Sequence, residues 1–121
     1  MELKKIHEDE RGFIYAINGL LEGGKEFAFL EVKKGYARGG CFHSRDENLA
    51  VVKGKIKLLL GEKEKIISQG ESILIPAKVP HAFIGLEDSI VSEWGITTQE
   101  KQADIKNLEL RVKVDEINKN L

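Results

Sequence analysis

The chain has 121 residues, 41% hydrophobic and 32% charged, with a formal net charge of -1, which fits one globular domain with a polar, Lys/Glu-rich surface and argues against a disordered chain. No Lys/Arg block is long enough to track a phosphate backbone, no apolar run is long enough to cross a membrane, and residues 1–10 lack the apolar stretch of a secretory signal, so a cytoplasmic protein without nucleic-acid or membrane partners is expected. The single cysteine, Cys41, has no internal disulfide partner and reads as a free thiol or a metal ligand.

Strands are predicted almost throughout. GFIYAI (12–17), EFAFLEV (26–32), NLAVVKGKIKLLLG (48–61), EKIIS (64–68), SILIPA (72–77), HAFIGL (81–86) and SIVSEW (89–94) are short apolar or alternating runs separated by Gly, Pro, Asp or Lys-Gly. Gly54 and Gly61 are the turns that make the third run and the fourth a meander. Many short strands and no long amphipathic helix before residue 98 predict an all-β antiparallel sandwich or small barrel over about 12–96. In the tail, 97–121, Ile105, Leu108, Leu110, Val112, Val114, Ile117 and Leu121 recur at mixed spacing. A loop, an edge strand at ELRVKV (109–114) and a short terminal helix are expected there, packed on the outside of the barrel or on a partner subunit.

GCFHSRDEN (40–48) carries the densest chemistry. Residues two apart on a strand share a face, so Cys41 and His43 point the same way, and a turn through Ser44, Arg45 and Asp46 lets Glu47 reach back to the same point. His81, after PAKVP, opens another strand and is a fourth candidate. Thiolate, imidazole and carboxylate together suit Zn, Fe, Ni, Co or Mn. Read blandly, Cys41 is a small buried hydrophobe and Asp46 and Glu47 are solvated turn residues. Phe29, Phe42, Phe83 and Trp94 are either an aromatic pocket wall or plain core, and Glu93 faces either pocket or solvent.

Two longer patterns resemble the cupin superfamily. GYARGGCFHSRDENLAVVKG (35–54) is similar to its first motif, with Gly35, Cys41, His43, Glu47 and Gly54 at the family spacing; GESILIPAKVPHAFIG (70–85) is similar to its second, with Gly70, Pro76, His81 and Gly85. Cys41 stands where the family usually has its first histidine, Lys78 where it usually has Gly, and Gly85 where it often has Asn. The resemblance implies a cupin double-stranded β-helix, or jelly-roll, barrel with a short C-terminal helix or tail, and one divalent transition metal held by Cys41, His43, Glu47 and His81. A thiolate in place of imidazole favours Zn or another late metal and lowers the Lewis acidity of the ion.

A narrower resemblance, to the sugar-nucleotide epimerases and ketoisomerases of that superfamily, lies in EDERGFI (8–14), RGGCFH (38–43) and PAKVPHAFIGLEDS (76–89). It implies that Arg38, with Arg11, binds phosphate, a role the planar guanidinium suits; read blandly, both are surface salt-bridge partners. Cys41 replaces the usual histidine base, leaving Cys41 or His43 for proton transfer next to a carbonyl. Tyr36, Phe83 and Trp94 complete the expected ligand contacts. Strict alternation sets Tyr36 and Arg38 on the face opposite Cys41 unless Gly39 and Gly40 form a bulge. Together these features predict a metal-binding cupin for a small polar, carbohydrate-like molecule, with isomerase or epimerase character. An oxygenase-type cupin and a non-catalytic binding cupin with a structural metal are the alternatives. The resemblance also implies a homodimer paired through strands.

Overall fold

The computed structural model describes residues 2–97, 100 and 105–121. Among these, eleven strands form two antiparallel sheets. The larger consists, in spatial order, of β1 (Glu2–Asp9), β2 (Gly12–Asn18), β3 (Lys25–Val32), β10 (Ser89–Thr97), β5 (Glu47–Lys53) and β8 (Ser72–Ile75). The smaller consists of β11 (Ile105–Lys106), β4 (Ala37–Phe42), β9 (His81–Gly85), β6 (Lys55–Leu60) and β7 (Lys63–Ser68). One helix, α1 (Leu108–Lys119), follows β11. Non-consecutive neighbours, such as β3 beside β10 and β4 beside β9, are the crossings of a jelly-roll.

Alternation along each strand builds the core. In β3 the buried positions are Glu26, Ala28, Leu30 and Val32; Ala28 and Leu30 lie opposite Glu93 and Val91 of β10, which in turn lie opposite Leu49 and Val51 of β5. Leu49, Val51, Ile56, Leu58, Ile75 and Val91 are each 1% exposed or less, joined by Ala16, Phe83 and Ile67 in one cluster between the sheets. The other side of the larger sheet is aromatic. Phe27 stacks on Trp94 at 5.5 Å, Phe27 meets Phe29 edge-on, and Phe13 meets Tyr15 edge-on.

Two expectations about the ends of the chain change. Residues 2–9, which no predicted strand covers, form β1, which pairs with β2 from Glu2 opposite Asn18 to Asp9 opposite Gly12. Its side chains are nearly all exposed, so no alternation marks it; the strand exists because β2 offers an open edge. ELRVKV is helical rather than an edge strand, and the short edge strand is Ile105–Lys106 instead. The polar-apolar alternation of that segment imitates a strand, but Leu110, Val114 and Ile117 at i, i+4 and i+7 form one helical stripe, packed on Ala37, Leu59, Ala82 and Ile84. Asn107 caps the helix, its side chain accepting from the Leu110 amide at 2.9 Å. The loop expected before it falls mainly on 98, 99 and 101–104, which lie outside the described residues.

Candidate metal centre and its surroundings

Three strands bring the chemistry together at one end of the barrel. β4 ends at Phe42, so His43 stands just past its end; Glu47 opens β5 after the turn through Ser44 and Asp46, and His81 opens β9. Asp46 fixes this turn by accepting the Ala77 amide at 2.7 Å, while the His43 carbonyl accepts the Lys78 amide at 2.7 Å. The loop before His81 is thereby tied to the loop before Glu47.

His43, Glu47 and His81 are 5%, 1% and 3% exposed. One ligand atom from each lies within 4.8 Å of the others. Glu47 Oε1 is 3.1 Å from His43 Nε2 and 3.7 Å from His81 Nε2, and the two imidazole centroids are 4.8 Å apart. His81 Nδ1 lies 3.1 Å from the Val79 carbonyl. A carbonyl only accepts, so Nδ1 carries the proton, and in neutral His81 the Nε2 lone pair faces the Glu47 carboxylate. A buried imidazole nitrogen facing a carboxylate oxygen calls for a shared cation, either a proton on Nε2 or a metal ion. Metal bonds of about 2.0–2.2 Å set neighbouring ligand atoms roughly 3–3.6 Å apart, close to the two measured separations. The backbone carbonyl behind His81 is the outer support that metal-bound imidazoles usually have. The donor set therefore fits a divalent transition metal, and three protein ligands leave positions open.

Cys41 is not one of the three converging groups. Strand pairing sets it opposite His81, half-buried. The register between β4 and β9 shifts between Gly39 and Cys41, which is the bulge on which the common orientation of Arg38 and Cys41 depends. Arg38 pairs with the core residue Phe83, so both Arg38 and Cys41 lie on the inner side of β4.

The two arginines are heavily engaged. Arg38, 3% exposed, donates from Nε to the Glu31 carbonyl at 2.8 Å and from Nη2 to the Gly12 carbonyl at 3.1 Å. It thereby joins β4 of one sheet to β3 and β2 of the other. Burial, and then the nearby Arg11 cation, push its pKa down to about 10, so it remains charged at neutral pH. Arg11 holds Asp9 through Nε and Nη2, at 3.0 and 2.7 Å to Oδ2, and its Nη1 reaches the Ala37 carbonyl at 3.5 Å. The hydrogen bonds from Arg11 hold the Asp9 carboxyl well below the usual carboxylate range. Arg11 also lines a groove of about 310 Å³ with Glu10, Arg111, Asp115, Asn118 and Lys119. That groove lies outside the barrel, between the β1–β2 turn and α1.

Of the expected ligand contacts, Phe83 is in the core at 2% exposure. Tyr36 precedes β4, at the opposite end from His43, and packs on the main core. Trp94 lies on the outer side of the larger sheet against Phe27, and Phe29 is on that side too. Glu93 turns inward, opposite Ala28 and Leu49, and is 7% exposed. Glu26, which sequence reasoning passed over, is equally buried; it has the same parity as Ala28, Leu30 and Val32 in an alternating strand, and that signal was available. Val79, which orients His81 through a backbone carbonyl, left no mark in residue identity.

The barrel and its inward His–Glu–His set define a class, and comparison with known proteins gives its family. The model of the cupin domain matches residues 28–94, more than half of the chain. The protein belongs to the cupin family. Similar solved folds include capsular polysaccharide assembling protein CapF from Staphylococcus aureus, at 22% identity and TM-score 0.67, covering 78% of this chain and 28% of that one. An oxalate decarboxylase from Bacillus subtilis matches at 12% identity and TM-score 0.70, over 81% of this chain and 29% of that one. KdgF from a Halomonas species matches at 18% identity and TM-score 0.59, over 78% and 85%. At these identities the likeness is one of fold, and the chain spans under a third of the first two. None of the curated protein sequences compared matches this chain.

Proposed function

We propose that this cupin holds one divalent transition metal on His43, Glu47 and His81 and binds a small polar, carbohydrate-like molecule at the open side of that ion. The observation that carries it is the buried His81 Nε2 turned toward Glu47 Oε1 at 3.7 Å while Nδ1 is committed to Val79. Cys41, across from His81 on the same side of the barrel, borders the open positions and is a fourth ligand or a contact to the bound molecule. Coordination withdraws both imidazoles from acid–base work, which leaves proton transfer next to a carbonyl to Cys41 when it is not itself a ligand.

The arginines favour a ligand without phosphate. Nε and Nη2 of Arg38 are spent on backbone carbonyls and those of Arg11 on Asp9, and the buried Glu26 and Glu93 make the inner side of the larger sheet acidic. A neutral polyhydroxyl molecule suits such surroundings better than an anion does. The fold likeness to a capsular polysaccharide assembling protein agrees with a sugar. The test is a thermal-shift panel on the metal-loaded protein with neutral sugars, acid sugars and sugar nucleotides. A ligand at a hundred times its Kd adds about 2.7 kcal/mol of stability, and simple sugars are expected to do so. A shift produced by sugar nucleotides alone would return Arg38 and Arg11 to a phosphate role; no shift with any sugar would end the carbohydrate reading.

We further propose that the protein works as a homodimer, paired through the outer side of the larger sheet. Phe13, Tyr15, Phe27, Phe29 and Trp94 share that side, and Leu3, Val52 and Leu74 extend it at 50% exposure or more. Apolar area of this kind on a small domain marks an interface. Sedimentation equilibrium should read two chains for the wild type and one for Trp94→Glu, whereas a wild-type monomer at tens of micromolar contradicts the pairing.

A further inference from the structure

The edge of β4 away from β9 is held by the C-terminal helix as well as by a strand. Asn118 Oδ1 accepts the Ala37 amide at 2.7 Å and its Nδ2 donates to the Ala37 carbonyl at 3.0 Å. Further along, Arg111 Nη1 donates to the Gly39 carbonyl at 2.7 Å and the Asn107 amide to the Gly40 carbonyl at 3.0 Å. β11 then takes over, opposite Cys41 and Phe42. The helix therefore grips β4 at the register shift itself. Gly39 and Gly40 have φ of +105° and +106°, open to glycine and rarely to other residues. A Cβ on Gly40 would fall 2.5 Å from Arg111 Cδ, and one on Gly39 would fall 2.8 Å from Ala82 Cα. The bulge is thus pinned between β9 on one side and the Arg111 side chain on the other.

We infer that Arg111 is a positioning residue, which holds this bulge in register and so sets where Cys41 and His43 stand relative to His81. Arg111 is far along the chain from these residues, and its bond to the Gly39 carbonyl acts on the backbone that carries them. Without the bulge, strand alternation moves Cys41 to the outer side of β4, away from Arg38. The part of this inference that concerns metal affinity rests on the proposed metal site, and the part that concerns the strand does not.

The experiment compares full-length wild type, Arg111→Ala, Arg111→Lys and Asp115→Ala by amide hydrogen exchange and by cobalt(II) titration. Asp115 is the exposed ion-pair partner of Arg111 at 3.6 Å, so its loss controls for helix charge. In Arg111→Ala, exchange over 38–43 should speed up at least tenfold with β2 and β3 unchanged, and cobalt should bind tenfold to a hundredfold more weakly. Arg111→Lys should recover part of both, and Asp115→Ala should resemble wild type. Unchanged exchange over 38–43, acceleration across the whole barrel, or wild-type cobalt affinity in Arg111→Ala would each overturn the inference. Local acceleration in a protein whose wild type binds no cobalt would uphold the hold on β4 and defeat the metal site alone.

Discussion

Glu47→Gln should lower metal affinity by at least a hundredfold and leave the fold intact. Glu47 is the one carboxylate among the three converging groups, and its Oε1 stands nearest to both imidazoles. Glutamine keeps the size and one acceptor oxygen but removes the charge that offsets the cation, and its amide hydrogens meet Nε2 atoms that would otherwise be ligands. The metal-free variant should unfold at or above the wild-type temperature, because a buried carboxylate no longer faces an acceptor. The opposite pair of results, retained metal and lost stability, would make Glu47 a partner of the histidines in a purely structural network. Titration with zinc or cobalt, alongside thermal unfolding in chelator, separates the two.

Arg38→Met should cost about 2–4 kcal/mol of stability, from two carbonyls that each lose a charged donor at about 1–3 kcal/mol, offset in part because no guanidinium is then buried. For a chain of this length that is a fall of roughly 10 °C in Tm. Methionine preserves the apolar stem, so the loss reports on the guanidinium and its bonds to Glu31 and Gly12. Ligand affinity in the folded fraction should change little. A variant as stable as wild type that no longer responds to phosphorylated ligands would assign Arg38 to binding rather than to joining the sheets.

The barrel was legible in the sequence because its strands are short apolar or alternating runs between turn residues. In EFAFLEV the period of two sets Ala28, Leu30 and Val32 on one side and Phe27 and Phe29 on the other, and only packing selects the first set for the core, as observed in β3. His43, Glu47 and His81 were legible as candidates through the resemblance to the two cupin motifs, since spacing alone pairs His43 with Glu47 only weakly; that the three side chains converge is seen only in the fold. Three features were not legible. β1 buries almost nothing and is defined by a neighbour's open edge. ELRVKV alternates like a strand, and only packing on Ala37 and Ala82 selects the helical stripe Leu110, Val114, Ile117. The partners of Arg38 are backbone carbonyls, which every sequence has, so no residue identity could have distinguished a guanidinium that joins two sheets from one that waits for phosphate.

The most direct measurement is the metal content of the wild-type protein, purified without added metal and again after dialysis against equimolar zinc or cobalt, with His81→Ala as its control. Close to one equivalent per chain in the wild type and less than a tenth in the variant is the expected result. Less than a tenth of an equivalent in the wild type after dialysis, or equal content in both, would contradict a metal held by His43, Glu47 and His81.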